Sequence, residues 1–294
     1  MKSTISLIML ILLCSVPACA QDMSGNHNHS NNAPAASPDS MENQDWAKQK
    51  LAKSPRHQEW VKVKNGNREV NSFVVYPENK NKATAVIVIH EIFGMSDWVQ
   101  SLTDQLAEAG YVAIAPDLLS GMGPNGGGTS SLDRTTVGQA IRDLPPDQIT
   151  ADLNAVADYI SKVPASNGKV VVTGYCWGGG QSFRYATNNP NIKAAYVFYG
   201  PPPSAADGTP NKEALAKITA PVYGFYAGND ARINATLPKT IEAMTELKKT
   251  FEPVTYEGAG HGFMRAGEAP DANEANKKAR DDAWARWKKI LAGI

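Results

Sequence analysis

Strand-like and helix-like hydrophobic patterns alternate along the chain from about Trp60 onward, and this alternation is its strongest constraint on the fold. Residues 83–90 (ATAVIVIH) form a continuous apolar run, which is typical of a strand buried on both faces of a sheet. Residues 98–109 then show helical spacing and end at Gly110, a residue type that commonly closes a helix. Strands alternating with helices predict an α/β protein, with a mostly parallel central sheet and helices on both faces. Functional residues are then expected in loops at the carboxyl ends of the strands.

The same patterns predict the bounds of the individual elements. A hairpin around residues 65–67 (NGN) opens the fold. The predicted strands cover 60–64, 69–76, 83–90, 111–115, 169–173, 194–199, 222–227 and 253–257. The predicted helices cover 46–53, 98–109, 152–163, 178–187, 233–250 and 274–291.

The N-terminus has the pattern of a targeting segment. Lys2 precedes a short apolar run, residues 5–13, and small residues then lead up to Ala20, so residues 1–20 are predicted to be an export signal peptide. The run is too short to span a bilayer, which argues against an uncleaved anchor. Cleavage after Ala20 would give a soluble protein, whereas the sequence ending at Cys19 loosely resembles a bacterial lipobox and would place a lipid on that cysteine. The protein is therefore expected to be periplasmic or secreted, with a lipoprotein as the alternative.

Residues 21–45 are rich in Asn, Ser, Pro and Ala, and they contain little that could be buried. This composition predicts a disordered tether, which leaves residues 46–294 as a single domain. His27 and His29 lie in the tether. We interpret them as linker residues, because no framework of Cys or carboxylate ligands accompanies them.

Composition excludes some classes of function. The 294 residues include 29 basic and 29 acidic side chains, and 42% of the residues are hydrophobic, enough for one large α/β domain or two small ones. With no basic block, the chain offers no electrostatic reason to bind nucleic acid, and a small-molecule substrate is expected. The glycine-rich stretch 121–128 departs from the spacing of a dinucleotide fingerprint, and its Pro124 has no N–H to donate, so no cofactor or metal is predicted. The surrounding segment 118–136 is open to two interpretations, a substrate-covering loop or a surface excursion.

Residues 174–180 (GYCWGGG) follow an apolar strand and precede a predicted helix. With serine in place of Cys176 the stretch would be the Gly-x-Ser-x-Gly turn that presents a nucleophile in α/β-hydrolases. A thiol at this helix N-terminus is favoured as the thiolate by the helix dipole. The alternative is a small buried cysteine in a glycine-rich turn. The three cysteines of the chain are Cys14, Cys19 and Cys176, so a soluble mature chain would keep Cys176 alone and could form no internal disulfide.

A nucleophile of this kind needs an acid and a histidine from later strand ends, in that order. Asp230 ends one predicted strand and His261 lies just beyond the next, which matches the required order. The oxyanion would bind two backbone amides, one from Trp177 after the nucleophile and one from Ile92 in the loop after an earlier strand. The other histidines precede the predicted core, except one at the end of an earlier strand, and are poor candidates for the base.

Four motifs together resemble the dienelactone hydrolase family, the carboxymethylenebutenolidases. They are HEIFG at 90–94, APDLL at 115–119, GYCWGG at 174–179 and GAGHGF at 258–263, and they span most of the core in order. The resemblance implies an α/β-hydrolase fold and a cysteine hydrolase of enol-lactones.

The resemblance also implies roles for individual residues. It implies a Cys-His-Asp triad of Cys176, His261 and Asp230. Glu91 would contact the resting thiol and help to deprotonate it when substrate binds, and Arg265 would bind a carboxylate of the substrate. The family's second substrate-binding arginine and a substrate-binding tyrosine lie in its middle segment, where this chain offers two candidates for the arginine, Arg134 and Arg142. The family is typically cytoplasmic, so the predicted export signal is a departure from it.

The choice of cysteine itself limits the substrate. A thiolate is a weaker base than an alkoxide, so the tetrahedral intermediate of a simple alkyl ester would expel the thiolate rather than the alcohol. An enolate, a phenolate or another thiolate leaves readily, which favours an activated ester or enol-lactone. Two alternatives remain open: a thioesterase or broad carboxylesterase using the same triad, and a non-catalytic binding protein with this fold.

Overall fold

The computed structural model describes residues 44–79 and 81–294. The predicted signal peptide and nearly all of the predicted tether lie outside the described residues, together with Cys14, Cys19, His27 and His29. The first helix begins at Asp45, the last residue assigned to the tether. None of the helices among the described residues is long and apolar enough to cross a membrane.

Eight strands form one sheet in the order β1-β2-β4-β3-β5-β6-β7-β8. The strands are β1 (Gln58–Asn65), β2 (Arg68–Val75), β3 (Ala83–Ile89), β4 (Val112–Pro116), β5 (Ser166–Tyr175), β6 (Ala195–Phe198), β7 (Val222–Ala227) and β8 (Phe251–Tyr256). The pairs β1–β2 and β2–β4 are antiparallel, and all other neighbours are parallel. The prediction of a mostly parallel central sheet is therefore confirmed.

Helices cover both faces of this sheet. They are α1 (Asp45–Ala52), α2 (Asp97–Glu108), α3 (Arg134–Asp143), α4 (Pro146–Lys162), α5 (Trp177–Ala186), α6 (Lys212–Ala216), α7 (Ala231–Asn234), α8 (Leu237–Glu246), α9 (Phe263–Ala266) and α10 (Glu274–Leu291). Buried residues of α3, α4, α5, α6 and α8 belong to one hydrophobic core, and those of α1, α2, α9 and α10 belong to a second.

The central strand β3 shows why the sheet has two cores. Ile87 and Ile89 belong to the first core, whereas Val86 and Val88 belong to the second, and all four are fully buried. Successive side chains of a strand point to opposite faces, so an uninterrupted apolar run supplies both cores.

Two predicted helices differ from the structure because of proline. Helix α4 begins at Pro146, earlier than predicted, since proline fits the first helical turn, where its missing N–H costs no hydrogen bond. The single helix predicted over 233–250 is two helices, α7 and α8, and Pro238 lies in the first turn of α8. A proline there could not have continued the preceding helix. Helices α3, α6 and α9 were not predicted.

The segment 118–136 is anchored at its start and exposed at its tip. Leu118, Leu119 and Ser120 are fully buried, whereas Met122 is 44% exposed. Two short 3-10 turns follow at 124–126 and 129–131. Helix α3 then begins inside the segment, where the side chain of Asp133 accepts hydrogen bonds from the first amides of the helix.

Candidate active site

Cys176 occupies the sharp turn between β5 and α5. Its backbone has φ 57° and ψ −117°, a conformation that a residue with a side chain rarely adopts. Two hydrogen bonds hold it there: its amide donates to the carbonyl of Phe198 at 3.1 Å, and its carbonyl accepts from the amide of Gly180 at 3.2 Å. The thiol is free and partly exposed. A strained strand-to-helix turn of this kind holds the side chain out above the end of the sheet.

Glycines allow this turn to pack closely. A Cβ atom at Gly174 would overlap the carbonyl oxygen of Gly178. A Cβ atom at Gly178 would overlap the carbonyl oxygens of Ile89 and His90, at the end of β3. The glycines of GYCWGGG therefore bring the start of α5 directly against the neighbouring strand end.

Asp230 and His261 meet beside the turn, although 31 residues separate them in sequence. The Nδ1 of His261 donates to Oδ2 of Asp230 at 2.5 Å. Asp230 follows β7 and is buried, and its side chain also accepts from the amide of Ile233 at 3.3 Å. Burial raises the pKa of Asp230, but the hydrogen bond and charge of His261, the amide of Ile233 and the charge of Arg232 together outweigh burial and lower the pKa.

His261 also contacts the thiol of Cys176. Burial lowers the pKa of His261, but hydrogen bonds to Asp230 and Cys176 together outweigh it and raise the pKa to about 9. Because Asp230 occupies Nδ1, Nε2 is the ring nitrogen left for the sulfur. The structure thus brings Cys176, His261 and Asp230 into one line of contacts, with His261 in the middle.

Glu91 and Arg265 form a buried ion pair. The Nε of Arg265 donates to Oε2 of Glu91 at 2.8 Å, and their side chains are 6% and 2% exposed. Burial lowers the pKa of Arg265, and the charge and hydrogen bond of Glu91 outweigh burial and raise it. Arg265 also lies within electrostatic range of Cys176. The resemblance assigned these two residues separate tasks, at the thiol and at the substrate, and the structure joins them to each other.

The two arginine candidates of the middle segment lie on α3. The guanidinium of Arg134 lies over the ring of Phe93, with 5.4 Å from Cζ to the ring centroid, and Arg265 lies over the same ring at the same distance. Arg142 is exposed near the end of α3. Of the two candidates, Arg134 is therefore the one that shares an aromatic neighbour with the Glu91–Arg265 pair.

Tyr199 is a site residue that the sequence analysis missed. It follows β6, has a positive φ of 40° and is fully buried. Its ring packs edge-on against His261, with 5.1 Å between centroids, and no atom of the described residues accepts or donates a hydrogen bond at its hydroxyl. Burial first, and then the charge of Glu91, raise the pKa of Tyr199 well above its usual value. Its position just after a strand was the signal that could have found it.

The two amides predicted for the oxyanion belong to neighbouring strand ends. Trp177 is the first residue of α5, so its amide has no partner within the helix. Ile92 lies in the loop after β3, where the amide of Gly94 donates to the carbonyl of Glu91 at 3.1 Å and closes a turn. Among the backbone hydrogen bonds of residues 44–79 and 81–294, none uses either amide.

His90 supports this loop. Its Nδ1 donates to the carbonyl of Glu91 at 2.9 Å, its Nε2 accepts from the amide of Leu118 at 3.4 Å, and its ring stacks on Trp177. Complete burial lowers the pKa of His90, in keeping with a neutral ring that uses one nitrogen as donor and the other as acceptor.

The fold and site together define a class of protein. A mostly parallel sheet carries a nucleophile-type turn after β5, an acid after β7 and a histidine after β8, the arrangement of the α/β-hydrolase fold. The dienelactone hydrolase family model matches residues 70–294. The chain belongs to the dienelactone hydrolase family, whose members act on ester and lactone bonds.

Individual relatives and solved structures agree with this assignment. The chain is 32% identical over 261 residues to a "Putative carboxymethylenebutenolidase" of Saccharolobus solfataricus, covering 77% of this chain and 95% of that protein. It is 32% identical over 216 residues to a protein of the same name from Escherichia coli, covering 71% and 77% of the two chains. The crystal structure of a "Putative Dienelactone Hydrolase" from Klebsiella pneumoniae superposes with a TM-score of 0.70 at 27% identity, over 81% of this chain and 99% of that one.

Proposed function

We propose that the protein cleaves an activated ester or an enol-lactone through a Cys-His-Asp triad and an acyl-enzyme intermediate. The main support is that His261 contacts both Asp230 and the thiol of Cys176. The thiol belongs to a residue in a strained strand-to-helix turn. A histidine hydrogen-bonded to both an acid and a thiol has the geometry that activates a cysteine nucleophile.

The proposed reaction uses the two nitrogens of His261 differently. Nδ1 stays bonded to Asp230, and Nε2 takes the proton of Cys176 as the sulfur adds to the substrate carbonyl. The amides of Ile92 and Trp177 donate to the oxyanion that forms. When the intermediate collapses, the C–O bond of the leaving group breaks and Nε2 returns the proton to that oxygen. Water then attacks the thioester and gives a proton to Nε2. The C–S bond breaks, Nε2 returns that proton to the sulfur, and the carboxylic acid leaves.

The nucleophile favours a substrate whose leaving group is already stabilised. An alkoxide is a stronger base than the Cys176 thiolate, so a simple alkyl ester would return to the starting complex. An enolate, such as the one released when an enol-lactone opens, leaves more readily than the thiolate does. The cysteine at position 176 thus supports the proposed substrate class.

The Glu91–Arg265 pair favours an anionic substrate. We place a carboxylate of the substrate on Arg265, where it would compete with Glu91 for the guanidinium. Glu91 would then be free to turn towards Cys176 and help to deprotonate it by passing the thiol proton on to Nε2 of His261. In the resting structure Glu91 is held by Arg265, so this exchange would couple activation of the thiol to binding of the substrate.

We further propose that the protein acts outside the cytoplasm, periplasmic or secreted. This proposal rests on the export signal predicted over residues 1–20. Cleavage after Ala20 would give a soluble enzyme, and a lipid on Cys19 would tether it to a membrane. Intact mass of the native protein distinguishes the two, because lipidation adds the mass of the acyl chains to a chain that begins at Cys19.

The variant Cys176→Ala tests the function. Turnover of p-nitrophenyl acetate and of a dienelactone should fall by roughly 10⁴-fold or more, because the nucleophile is lost while the fold remains. The urea-unfolding midpoint should stay near that of the wild type, and Ser182→Ala, a small buried change on the same helix, serves as the activity control. Wild-type turnover by folded Cys176→Ala would rule out the mechanism.

A panel of an enol-lactone, an acyl thioester and an aryl ester on the wild type separates the proposed substrate class from a thioesterase or a broad carboxylesterase.

A further inference from the structure

The loop that carries Ile92 is held at both ends by the segment that follows β4. At its start, the amide of Leu118 donates to Nε2 of His90 at 3.4 Å. At its end, the amide of Met95 donates to Oγ1 of Thr129 at 3.1 Å. The loop therefore takes its position from residues of the glycine-rich segment and not only from the strand that precedes it.

Asp117 fixes the second of these contacts. Its Oδ1 accepts from the hydroxyl of Thr129 at 2.8 Å, and its Oδ2 accepts from the amide of Thr129 at 2.8 Å. Oδ1 also accepts from the amide of Leu119 at 3.1 Å. Since the single hydroxyl proton of Thr129 is given to Asp117, its lone pairs are left to accept from Met95. The chain of contacts from Met95 to Thr129 to Asp117 therefore has a fixed direction.

This chain of contacts is buried and closely packed. Asp117 is 5% exposed and Thr129 is 9% exposed. A Cβ atom at Gly94 would overlap the side chain of Thr129, and a Cβ atom at Gly128 would overlap the carboxylate of Asp117. Gly94 also has a φ of 71°, which favours glycine on its own account. Glycines on both sides thus let the loop and the segment approach closely enough to form these hydrogen bonds.

We propose that Thr129 and Asp117 are positioning residues that hold the Ile92 amide where the oxyanion forms. This inference rests on the proposed function, because it concerns the stabilisation of the same intermediate. Only the turn closed between Glu91 and Gly94 separates the Ile92 amide from the tethered amide of Met95. An oxyanion donor acts through its placement, so a loop that shifts by a fraction of its hydrogen-bond length stabilises the transition state less and leaves substrate binding largely intact.

The variant Thr129→Val tests the inference, because valine keeps the shape of threonine and removes the hydroxyl. We expect kcat for p-nitrophenyl acetate to fall by roughly 10- to 100-fold, less than or comparable to the loss of a whole oxyanion donor, with KM changed by less than about threefold. Thr129→Ser, which keeps the hydroxyl, should retain near wild-type kcat. Thr135→Val, at an exposed position at the start of α3, is the matched control and should also be unaffected.

A second measurement separates positioning of the loop from general damage to the site. Alkylation of Cys176 by iodoacetamide needs the thiol and its histidine but forms no oxyanion, so Thr129→Val should be alkylated at the wild-type rate. Parallel losses of kcat and of the alkylation rate would overturn the inference, as would a wild-type kcat. If Thr129→Val does not fold, Asp117→Asn replaces it, because the NH₂ of the amide cannot accept one of the two hydrogen bonds that Thr129 donates to the carboxylate, and the same pattern is expected.

The proposed function and this inference fail in different ways. If Cys176→Ala retains turnover, the mechanism is wrong and the oxyanion argument falls with it. If Cys176→Ala loses turnover while folded Thr129→Val keeps the wild-type kcat, the mechanism stands and the positioning role is refuted.

Discussion

Two carboxylate–cation pairs lie beside Cys176, and they differ in what their cation can do. Asp230 pairs with His261, whose side chain is 34% exposed and can gain or lose a proton. Glu91 pairs with Arg265, which is 6% exposed and stays charged at any pH that the protein survives. The first pair is suited to moving a proton, and the second is suited to holding charge in place.

The surroundings of the two pairs follow from this difference. His261 must reach a thiol and a substrate, and it lies just beyond β8 with its side chain partly exposed and the ring of Tyr199 edge-on against it. Arg265 lies on the short helix α9 with its guanidinium over the ring of Phe93, and Glu91 neutralises its charge. A buried charge of that kind is tolerated only while a countercharge is present. An anion that binds Arg265 can supply that countercharge and so release Glu91.

The largest expected effect comes from breaking the first pair without changing its shape. In Asp230→Asn the side-chain NH₂ would donate to Nδ1 of His261, which places the ring proton on Nε2 and prevents it from accepting the thiol proton. We expect kcat for p-nitrophenyl acetate to fall by roughly 10³- to 10⁴-fold, while the fold persists. The matched control is Asn229→Ala at the exposed neighbouring position, with an expected kcat near that of the wild type. A loss of less than about tenfold in Asp230→Asn would show that His261 does not depend on this carboxylate.

The first pair could be predicted from the sequence, whereas the second could not. The order of nucleophile, acid and histidine at successive strand ends is a local pattern, because each residue follows its own apolar run. The predicted strand over 222–227 matches the structure at both ends, so Asp230 was assigned to the correct loop. The predicted helix over 274–291 also matches at both ends. The contact between Glu91 and Arg265 joins residues 174 positions apart, and no periodicity in the chain indicates it.

The contacts of Thr129 and Asp117 with the Ile92 loop could not be predicted from the sequence either. The glycines of 121–128 suggested flexibility, and the sequence left a lid and a surface excursion as equal interpretations. In the structure Thr129 is buried and hydrogen-bonded to the carboxylate of Asp117, which follows β4. The same glycines therefore surround a tightly packed contact. Glycine permits both flexible and closely packed backbone, and only the tertiary neighbours decide between them.

Stability measurements would test the second pair. Glu91→Gln leaves the guanidinium of Arg265 buried without a countercharge, and the free energy of unfolding should fall by about 3–5 kcal/mol. Arg265→Met should cost less, because the abandoned carboxyl can take up a proton and become neutral, whereas a guanidinium cannot lose one. Urea unfolding measures both.

Two controls complete this test. The double variant Glu91→Gln/Arg265→Met should cost less than the sum of the single variants, because it removes both charged groups and leaves no unpaired charge. Lys162→Met, which breaks an exposed ion pair with Asp158, should cost less than about 1 kcal/mol. If Glu91→Gln proved as mild as Lys162→Met, the second pair would not be a buried charge held in place by its partner.

The smallest expected effect is the pH dependence of stability that the first pair confers. The pKa of His261 rises from 6.5 in its ordinary state to about 9 in the fold, so its contribution is fully present below pH 6.5 and is lost as the pH rises through about 9. The lowered pKa of Asp230 affects stability in a different pH range: its contribution is present above pH 3.8 and is lost only as the pH falls below that value. Between pH 6.5 and 9 the free energy of unfolding of the wild type should therefore decline relative to that of His261→Gln.

His57→Gln is the matched control, because that histidine is 68% exposed and lies far along the chain from the triad. Its free energy of unfolding should follow the wild-type pH profile across the same window. Parallel pH profiles of the free energy of unfolding for the wild type and His261→Gln would mean that folding does not raise the pKa of this ring. The first pair would then not differ from the second in how its stability depends on pH. A decline confined to proteins that keep His261 would show that the ring between Asp230 and Cys176 binds this proton in the folded state.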